Sequence, residues 1–109
     1  MTPEQKTQLK AGIGKAIGLV PGKSEASLLL CLEDNCSLYL RGENDRPIGY
    51  ITAAIFANEG HSGYPAFSEA LAALYQTVLS IAPQDLFIQY SDIPAWSVGG
   101  HYIDRRMLR

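Results

Sequence analysis

Two histidines are the side chains of this sequence best suited to moving protons near neutral pH. His61 lies in a loop that contains glycines, and His101 lies in the C-terminal tail. Either imidazole could act as a proton shuttle, although a lone histidine is more often a solvated surface residue, which is what we expect of both. No Ser–His–Asp set and no pair of carboxylates stands out along the chain. The sequence therefore does not indicate a hydrolase built on either arrangement.

The cysteines and glycines indicate neither a metal site nor a nucleotide site. Cys31 and Cys36 are too few for a disulfide scaffold, and their spacing matches no metal or redox motif. Gly12, Gly14 and Gly18 resemble a phosphate-binding loop only superficially, because no strand precedes them and they lie within a helical stripe. We therefore reject a nucleotide-binding role for these glycines.

Lys23 and the basic C-terminal end are the candidates for binding an anion. Lys23 lies in a polar turn, where a lysine offers a single positive charge and is usually solvated. Arg105, Arg106 and Arg109 form a short basic end. We expect these arginines to be solvated or to bridge subunits rather than to bind phosphate.

The composition is that of one small globular domain over residues 1–109. The chain has 109 residues, of which 47% are hydrophobic and 18% charged, and an average domain has about this length. A net charge of −2 argues against the basic surface that nucleic-acid binding needs. No stretch approaches the roughly 20 apolar residues that span a bilayer, and the N-terminus lacks the apolar core of a signal peptide. We expect a cytoplasmic protein without a membrane or nucleic-acid partner.

Apolar periodicity predicts two helices and several strands. Thr2, Pro3 and Gln5 form a capping-box pattern that opens a helix over residues 3–19. Pro65 opens a second helix over residues 65–81, whose apolar stripe has clean helical spacing. Short apolar runs predict strands at residues 26–32, 37–40, 48–56 and 86–90.

The two halves of the chain form a repeat from which one piece is missing. Residues 28–34 match residues 86–92 in pattern, and each run follows a helix that ends at a proline, Pro21 or Pro83. The second half contains a strand, a helix and a strand, which make two parallel strands with a helix over one face. The first half has no leading strand. Two helices cover only one face of such a sheet, so we expect the other face to pack against other subunits.

Four stretches spread over essentially the whole chain share their pattern with a known family. They are Thr2-Pro3-Glu4, residues 21–25, residues 87–92 and the glycine-rich end at residues 96–100. In these stretches the chain resembles the macrophage migration inhibitory factor (MIF) branch of the tautomerase superfamily. The resemblance implies an α+β fold with two strand–helix–strand repeats, a four-stranded sheet under two helices, and assembly as a homotrimer. In this chain the first of those strands is missing.

The resemblance also implies a chemistry, the keto–enol tautomerisation of small aromatic α-keto acids such as phenylpyruvate. The family's base is an N-terminal proline, which is exposed when the initiator methionine is removed. Its secondary amine is both unprotonated and basic when its surroundings lower its pKa towards neutrality. A lysine or arginine holds the substrate carboxylate, and an aromatic and apolar wall takes the ring. The resemblance implies no metal, nucleotide or other cofactor.

The family pattern, transferred to this sequence, selects four substrate-binding residues. Lys23 matches the family's lysine at the turn between helix and strand. Phe56 falls where an aliphatic pocket residue is usual, Phe87 where tyrosine is frequent, and Gln89 where asparagine is frequent. Packing in the core or between subunits is an equally good interpretation of the two phenylalanines, and Gln89 could equally pair across a subunit interface.

Two departures from the family pattern bear on activity. The pocket tryptophan near the C-terminus has no counterpart, because Val98 or Gly100 falls there. The catalytic proline has no counterpart either, since two residues precede Pro3 and it starts a helix. Removal of Met1 would expose the primary amine of Thr2, which is not the family's base. We therefore assign no catalytic residue in this chain.

Two functions are open at this point. The first is a bacterial-type, trimeric phenylpyruvate tautomerase whose natural chain carries a leading strand of about ten residues beginning Met-Pro. The chain as it stands would then have negligible activity. The alternative is a non-enzymatic trimer that keeps the fold as a binding or structural module, and a changed pocket could also host another reaction of the superfamily. In every case we expect an open strand position in the sheet, which the tail or a neighbouring chain fills or which stays open.

Overall fold

A computed structural model describes residues 1–108, and its N-terminal part is one capped helix. Helix α1 is Pro3–Ala16, and a 3₁₀ turn, Ile17–Leu19, continues it. The Thr2 hydroxyl accepts a hydrogen bond from the Gln5 amide, and the Gln5 side chain accepts one from the Thr2 amide. The predicted capping box and the predicted helix over residues 3–19 are therefore confirmed, with the last turn tightened.

Helix α2, Tyr64–Leu79, lies antiparallel to α1. Near its end, the Val78 carbonyl accepts a hydrogen bond of 3.2 Å from the side-chain nitrogen Nε2 of Gln5. At its start, Gly63 packs against the backbone of Leu19. The start of α1 thus lies beside the end of α2, and the end of α1 lies beside the start of α2. The helix predicted over residues 65–81 is confirmed, although it ends at Leu79.

Two parallel strands form the sheet on which the helices pack. Strand β1 is Gly49–Phe56, and strand β2 is Leu86–Ile93. Their register places Gly49 opposite Leu86 and Phe56 opposite Ile93, with α2 as the connection between them. The strand–helix–strand unit predicted for the second half of the chain is therefore confirmed, and β2 continues beyond its predicted end at Tyr90.

The strand predicted at residues 26–32 is wrong. Glu25–Ser27 forms a 3₁₀ turn, and residues 28–32 are extended without any strand partner among residues 1–108. The alternation of a strand is still present, because Leu28, Leu30 and Leu32 pack against the core whereas Leu29 is 87% exposed. A strand requires a neighbour that accepts and donates backbone hydrogen bonds, and this segment has none in the described chain.

The strand predicted at residues 37–40 is also wrong. Leu40 and Glu43 form an isolated bridge, with backbone hydrogen bonds of 2.8 and 3.0 Å. Arg41 and Gly42 between them both have positive φ angles, 53° and 79°. The backbone thus reverses at once in a tight turn, which leaves no partner for a longer strand.

The C-terminal tail forms a hairpin that the apolar periodicity of the sequence does not predict. Strand β3, Ala95–Val98, pairs with strand β4, His101–Asp104, in antiparallel register. Gly99 and Gly100 connect them with φ angles of +60° and +79°, which suit a two-residue hairpin turn. A last 3₁₀ turn, Arg105–Leu108, follows. Because the tail pairs with itself, it does not fill the open strand position.

The core lies between the two helices and the inner face of β1 and β2. Its most deeply buried side chains are Leu9, Val20 and Leu71, at 0%, 0% and 1% exposure. The architecture is therefore α+β, with two antiparallel helices over one face of a parallel strand pair. Over residues 1–108, no helix has both the length and the apolar character that crossing a membrane would require.

Candidate functional site

Lys23 and Phe56, two of the four predicted substrate-binding residues, lie together. Lys23 follows the turn after α1, where its amide donates to the Val20 carbonyl at 3.0 Å. Its ammonium group donates a hydrogen bond of 2.7 Å to the Phe56 carbonyl, at the end of β1. The same ammonium lies 5.5 Å from the centre of the Phe56 ring, within the range of a cation–π contact. A positive charge and an aromatic ring thus share one end of the sheet.

Phe87 and Gln89 lie on the face of the sheet that the helices leave uncovered. Phe87 is opposite Tyr50 and Gln89 is opposite Thr52 in the strand register. The Tyr50 hydroxyl donates a hydrogen bond to the side-chain oxygen Oε1 of Gln89. Tyr50 and Phe87 are 55% and 49% exposed. This face therefore presents two large aromatic side chains to its surroundings.

The single chain does not bring the four predicted residues into one site. Phe56 lies six positions after Tyr50, the residue opposite Phe87, which corresponds to about 20 Å along a strand. Two shallow surface grooves lie elsewhere, one between α1 and Leu30 and the other beside Tyr102. Neither groove includes Lys23 or Phe56. The site predicted from the resemblance is thus divided between two places in the chain.

The N-terminal amine lies far from Lys23. The Met1 ammonium forms an ion pair with the Asp34 carboxylate. Its hydrogen bond to that carboxylate, and then the amide of Asn35, hold the pKa of Asp34 below its ordinary value. Met1 precedes α1 and Lys23 follows it, and the 14 residues of α1 correspond to a length of about 21 Å. Within one chain, the N-terminal amine of this polypeptide therefore does not lie beside Lys23.

A polar and aromatic cluster near the start of α2 was not predicted as a unit. The His61 ring lies 2.8 Å from an Asp92 oxygen through Nε2 and stacks on Tyr64, whose ring centre is 4.9 Å away. Tyr64 stacks in turn on Tyr90 at 4.3 Å. Burial, and then the Asp92 carboxylate, raise the pKa of Tyr64. His61 is thus paired rather than a lone surface histidine, but 31 residues separate it from Asp92, so no spacing rule could reveal the pair.

The remaining candidate residues take no part in the contacts described above. Cys31 and Cys36 are free and exposed. Arg105 lies 3.5 Å from Glu59, and Arg106 lies 2.8 Å from Asp104. His101 is exposed at the start of β4, and Arg109 lies outside the described residues. The basic end is therefore partly neutralised by neighbouring carboxylates.

Comparison with known proteins identifies the fold. No protein-family model matches the chain, and no curated protein matches it significantly. A structure of Pt0534 inactivated by 2-oxo-3-pentynoate matches with a TM-score of 0.78 and 16% identity, covering 100% of this chain and 92% of that one. The macrophage migration inhibitory factor of Toxoplasma gondii matches with a TM-score of 0.72 and 16% identity, over 94% of this chain and 90% of that one.

A third match is a structure of the same fold that is described as a trimer. A wild-type fused 4-OT asymmetric trimer matches with a TM-score of 0.73 and 22% identity, over 99% of this chain and 90% of that one. These identities are low, so the likeness is one of fold. The chain therefore has a MIF-like fold, and the α+β class expected from the resemblance is confirmed.

Proposed function

We propose that this chain carries the substrate-binding part of a tautomerase for small aromatic α-keto acids of the phenylpyruvate type. The observation that carries the proposal is the position of the Lys23 ammonium, 5.5 Å from the ring of Phe56 at one end of the sheet. A lysine ammonium can hold a substrate carboxylate, and an aromatic wall can pack against the substrate ring. No metal or nucleotide takes part in this proposal.

We further infer a homotrimer in which Phe87 and Gln89 complete the site of a neighbouring copy. One chain cannot surround a small substrate with four residues that are spread over about 20 Å of strand. The uncovered face with Tyr50 and Phe87 offers an apolar surface for the contact. A solved structure with the same fold, the fused 4-OT, is a trimer, which supports this assembly.

The 109-residue polypeptide itself should have negligible tautomerase activity. Its terminal amine is primary, and it is paired with Asp34 at the end of α1 remote from Lys23. The proposed reaction needs an amine of near-neutral pKa that can reach the substrate beside Lys23. Localisation in the cytoplasm and a bacterial source are parts of the same proposal.

An assay of enol-phenylpyruvate ketonisation, followed by ultraviolet absorbance, tests the proposal. We expect no turnover from the 109-residue polypeptide. We expect proline-dependent turnover when an eight-residue strand beginning with proline replaces Met1. In that variant, Lys23→Ala should raise KM more than it lowers kcat, while Lys10→Ala, at an exposed position of α1, serves as the matched control. Rapid turnover by the unextended polypeptide would contradict the proposed mechanism.

The alternative function is a non-enzymatic module built on the same trimeric fold. One observation favours it, because the Lys23 ammonium already donates to the Phe56 carbonyl at 2.7 Å and would have to share or break that bond to hold a carboxylate. A strand-extended variant that forms trimers but turns over no enol substrate would support this alternative.

A further inference from the structure

The loop of residues 57–63, which connects β1 to α2, contains two non-glycine residues with left-handed backbone. The φ angles are 56° at Ala57 and 58° at His61. Histidine adopts this conformation more often than most residues do, whereas alanine has no polar side chain that would compensate its cost. Such a conformation persists where neighbouring contacts hold it, and it is frequent at binding sites. The conformation of Ala57 therefore depends on contacts from outside the loop.

The last two residues of β2 supply those contacts. The Ala57 amide donates a hydrogen bond of 3.2 Å to the Ile93 carbonyl, which extends the ladder of β1 and β2 by one bond. One residue earlier on β2, an Asp92 carboxylate oxygen lies 2.8 Å from Nε2 of His61. The other carboxylate oxygen accepts a hydrogen bond of 3.3 Å from the Tyr64 hydroxyl. The Asp92 carboxylate thus binds both the loop and the start of α2.

The peptide unit that joins Phe56 to Ala57 is hydrogen-bonded on both sides. Its N–H is the Ala57 amide that donates to Ile93. Its carbonyl oxygen belongs to Phe56 and accepts the 2.7 Å hydrogen bond from the Lys23 ammonium. Because a peptide unit is planar, the direction of its N–H fixes the direction of its carbonyl. The partner of the Lys23 ammonium is therefore oriented by the way in which the loop is held on β2.

The bond to the Phe56 carbonyl leaves the Lys23 ammonium able to bind an anion. A lysine ammonium has three N–H donors. Within residues 1–108, the Phe56 carbonyl is the acceptor that this ammonium contacts, so two donors are left. Two donors suit the two oxygens of a carboxylate, with which an ammonium forms charge-assisted hydrogen bonds. The carbonyl therefore orients the ammonium without using all of its donors.

We propose that His61 and Asp92 are positioning residues for Lys23. Their contact holds the peptide unit of Phe56 and Ala57, whose carbonyl directs the lysine ammonium towards the carboxylate of an aromatic α-keto acid. The inference rests on the proposed function, because it takes Lys23 as the residue that binds this carboxylate. When the contact between His61 and Asp92 is lost, Ala57 relaxes to a negative φ and the peptide unit turns. The Lys23 ammonium then loses its carbonyl partner.

The rate at which the Lys23 ammonium exchanges hydrogen with water tests this positioning without any ligand. In weakly acidic buffer at low temperature, proton–nitrogen NMR spectra resolve lysine ammonium groups that are hydrogen-bonded, and Lys23→Arg assigns the signal. We expect His61→Ala and Asp92→Ala each to speed this exchange by about fivefold, the effect of losing one hydrogen bond of ordinary strength. The His61 side chain is 57% exposed, so its removal does not open the core.

Two further variants distinguish positioning from a general effect on the fold. His61→Gln keeps a side-chain N–H donor for Asp92 and should restore slow exchange of the Lys23 ammonium. His101→Ala is the matched control, because His101 is also exposed but lies on β4, and it should leave the exchange unchanged. Exchange that stays slow in both His61→Ala and Asp92→Ala, with circular dichroism showing folded protein, would overturn the inference. So would exchange in His61→Gln that is as fast as in His61→Ala.

Benzoylformate, an aromatic α-keto acid without an enolisable hydrogen, separates this inference from the proposed function. Its affinity is measured by titration, from the shift of the Lys23 amide signal. We expect His61→Ala to weaken binding by about fivefold, in proportion to the hydrogen bond lost, and equal affinity of this variant and the unaltered protein would overturn the inference. If the unaltered protein does not bind benzoylformate, the proposed function fails, and the exchange rates alone decide whether His61 and Asp92 position the Lys23 ammonium.

Discussion

At the scale of single residues, Gly63 shows how tightly the turn before α2 packs on the turn after α1. Its φ angle is +83°, and a Cβ atom there would lie 2.2 Å from the backbone oxygen of Leu19. We predict that Gly63→Ala lowers the free energy of unfolding by roughly 2–4 kcal/mol, through backbone strain and steric overlap. At Gly60 a Cβ would meet no atom within 4 Å, so Gly60→Ala should change the free energy of unfolding by less than about 0.5 kcal/mol. Equal shifts of the two urea midpoints would contradict this assignment.

Asp104 couples the stability of the C-terminal end to pH. Hydrogen bonds from the side chain and amide of Arg106, and one from the Tyr102 hydroxyl, hold the pKa of the Asp104 carboxyl well below its ordinary value. The unfolded chain therefore binds a proton at a higher pH than the folded chain does. The stabilisation is complete above the ordinary aspartate pKa, about 4, and decreases as the pH falls from there towards the folded-state pKa.

The corresponding prediction compares Asp104→Asn with the unaltered chain. Above about pH 5 the variant should be the less stable of the two, and the difference in unfolding free energy should shrink as the pH falls below about 4. Urea titrations at closely spaced pH values measure the difference in unfolding free energy between the two proteins. Asp45→Asn, at an exposed carboxylate, is the control for the general loss of negative charge. A difference that grows towards low pH would contradict the predicted sign.

The candidate-site residues could be predicted from the sequence only in part. Lys23 and Phe56 were selected by resemblance to a family, and the contact between their positions, 33 residues apart, has no local sequence signal. The pairing of His61 with Asp92 has none either. Spacing rules describe neighbours within one element, whereas each of these contacts depends on how a loop meets the end of a strand.

At the scale of elements, helix α2 has an apolar stripe, a local sequence pattern from which a helix can be predicted. Leu71 lies on its buried stripe and is 1% exposed. We predict that Leu71→Ala lowers the free energy of unfolding by about 2–5 kcal/mol, through lost burial and the cavity left behind. Leu29→Ala is the matched control, because Leu29 is 87% exposed and should contribute less than about 0.5 kcal/mol. If chemical denaturation shows comparable losses of unfolding free energy in the two variants, Leu71 is not on a buried face and Leu29 is not on an exposed one.

The strands were less predictable than the helices for a physical reason. A capping box and an apolar stripe are local, so Thr2 and Gln5 already indicate where α1 begins. The ladder of a strand depends on a partner elsewhere in the chain. Residues 28–32 have the alternation of a strand but no partner among residues 1–108. The hairpin of β3 and β4 has short strands with few apolar residues facing a core, and its strongest local signal was the pair Gly99 and Gly100.

At the scale of the whole molecule, the uncovered sheet face and the hairpin leave large apolar side chains exposed. Tyr50, Phe87, Trp96, Val98 and Tyr102 are between 41% and 59% exposed. An apolar surface of this kind on a small domain favours association with further copies. The homotrimer we propose would bury these side chains and bring Phe87 towards the Lys23 of a neighbouring copy.

The assembly is testable by charging its proposed interface. We predict that the unaltered chain sediments as a trimer and that Phe87→Glu shifts it towards the monomer, because a carboxylate at a buried contact must lose its hydration. Far-ultraviolet circular dichroism should remain unchanged, since Phe87 faces away from the helical core. Tyr39→Glu is the control, as Tyr39 is 66% exposed and lies outside the sheet. If both variants stay trimeric, the uncovered face is not the interface, and the proposal that Phe87 and Gln89 complete a neighbour's site fails with it.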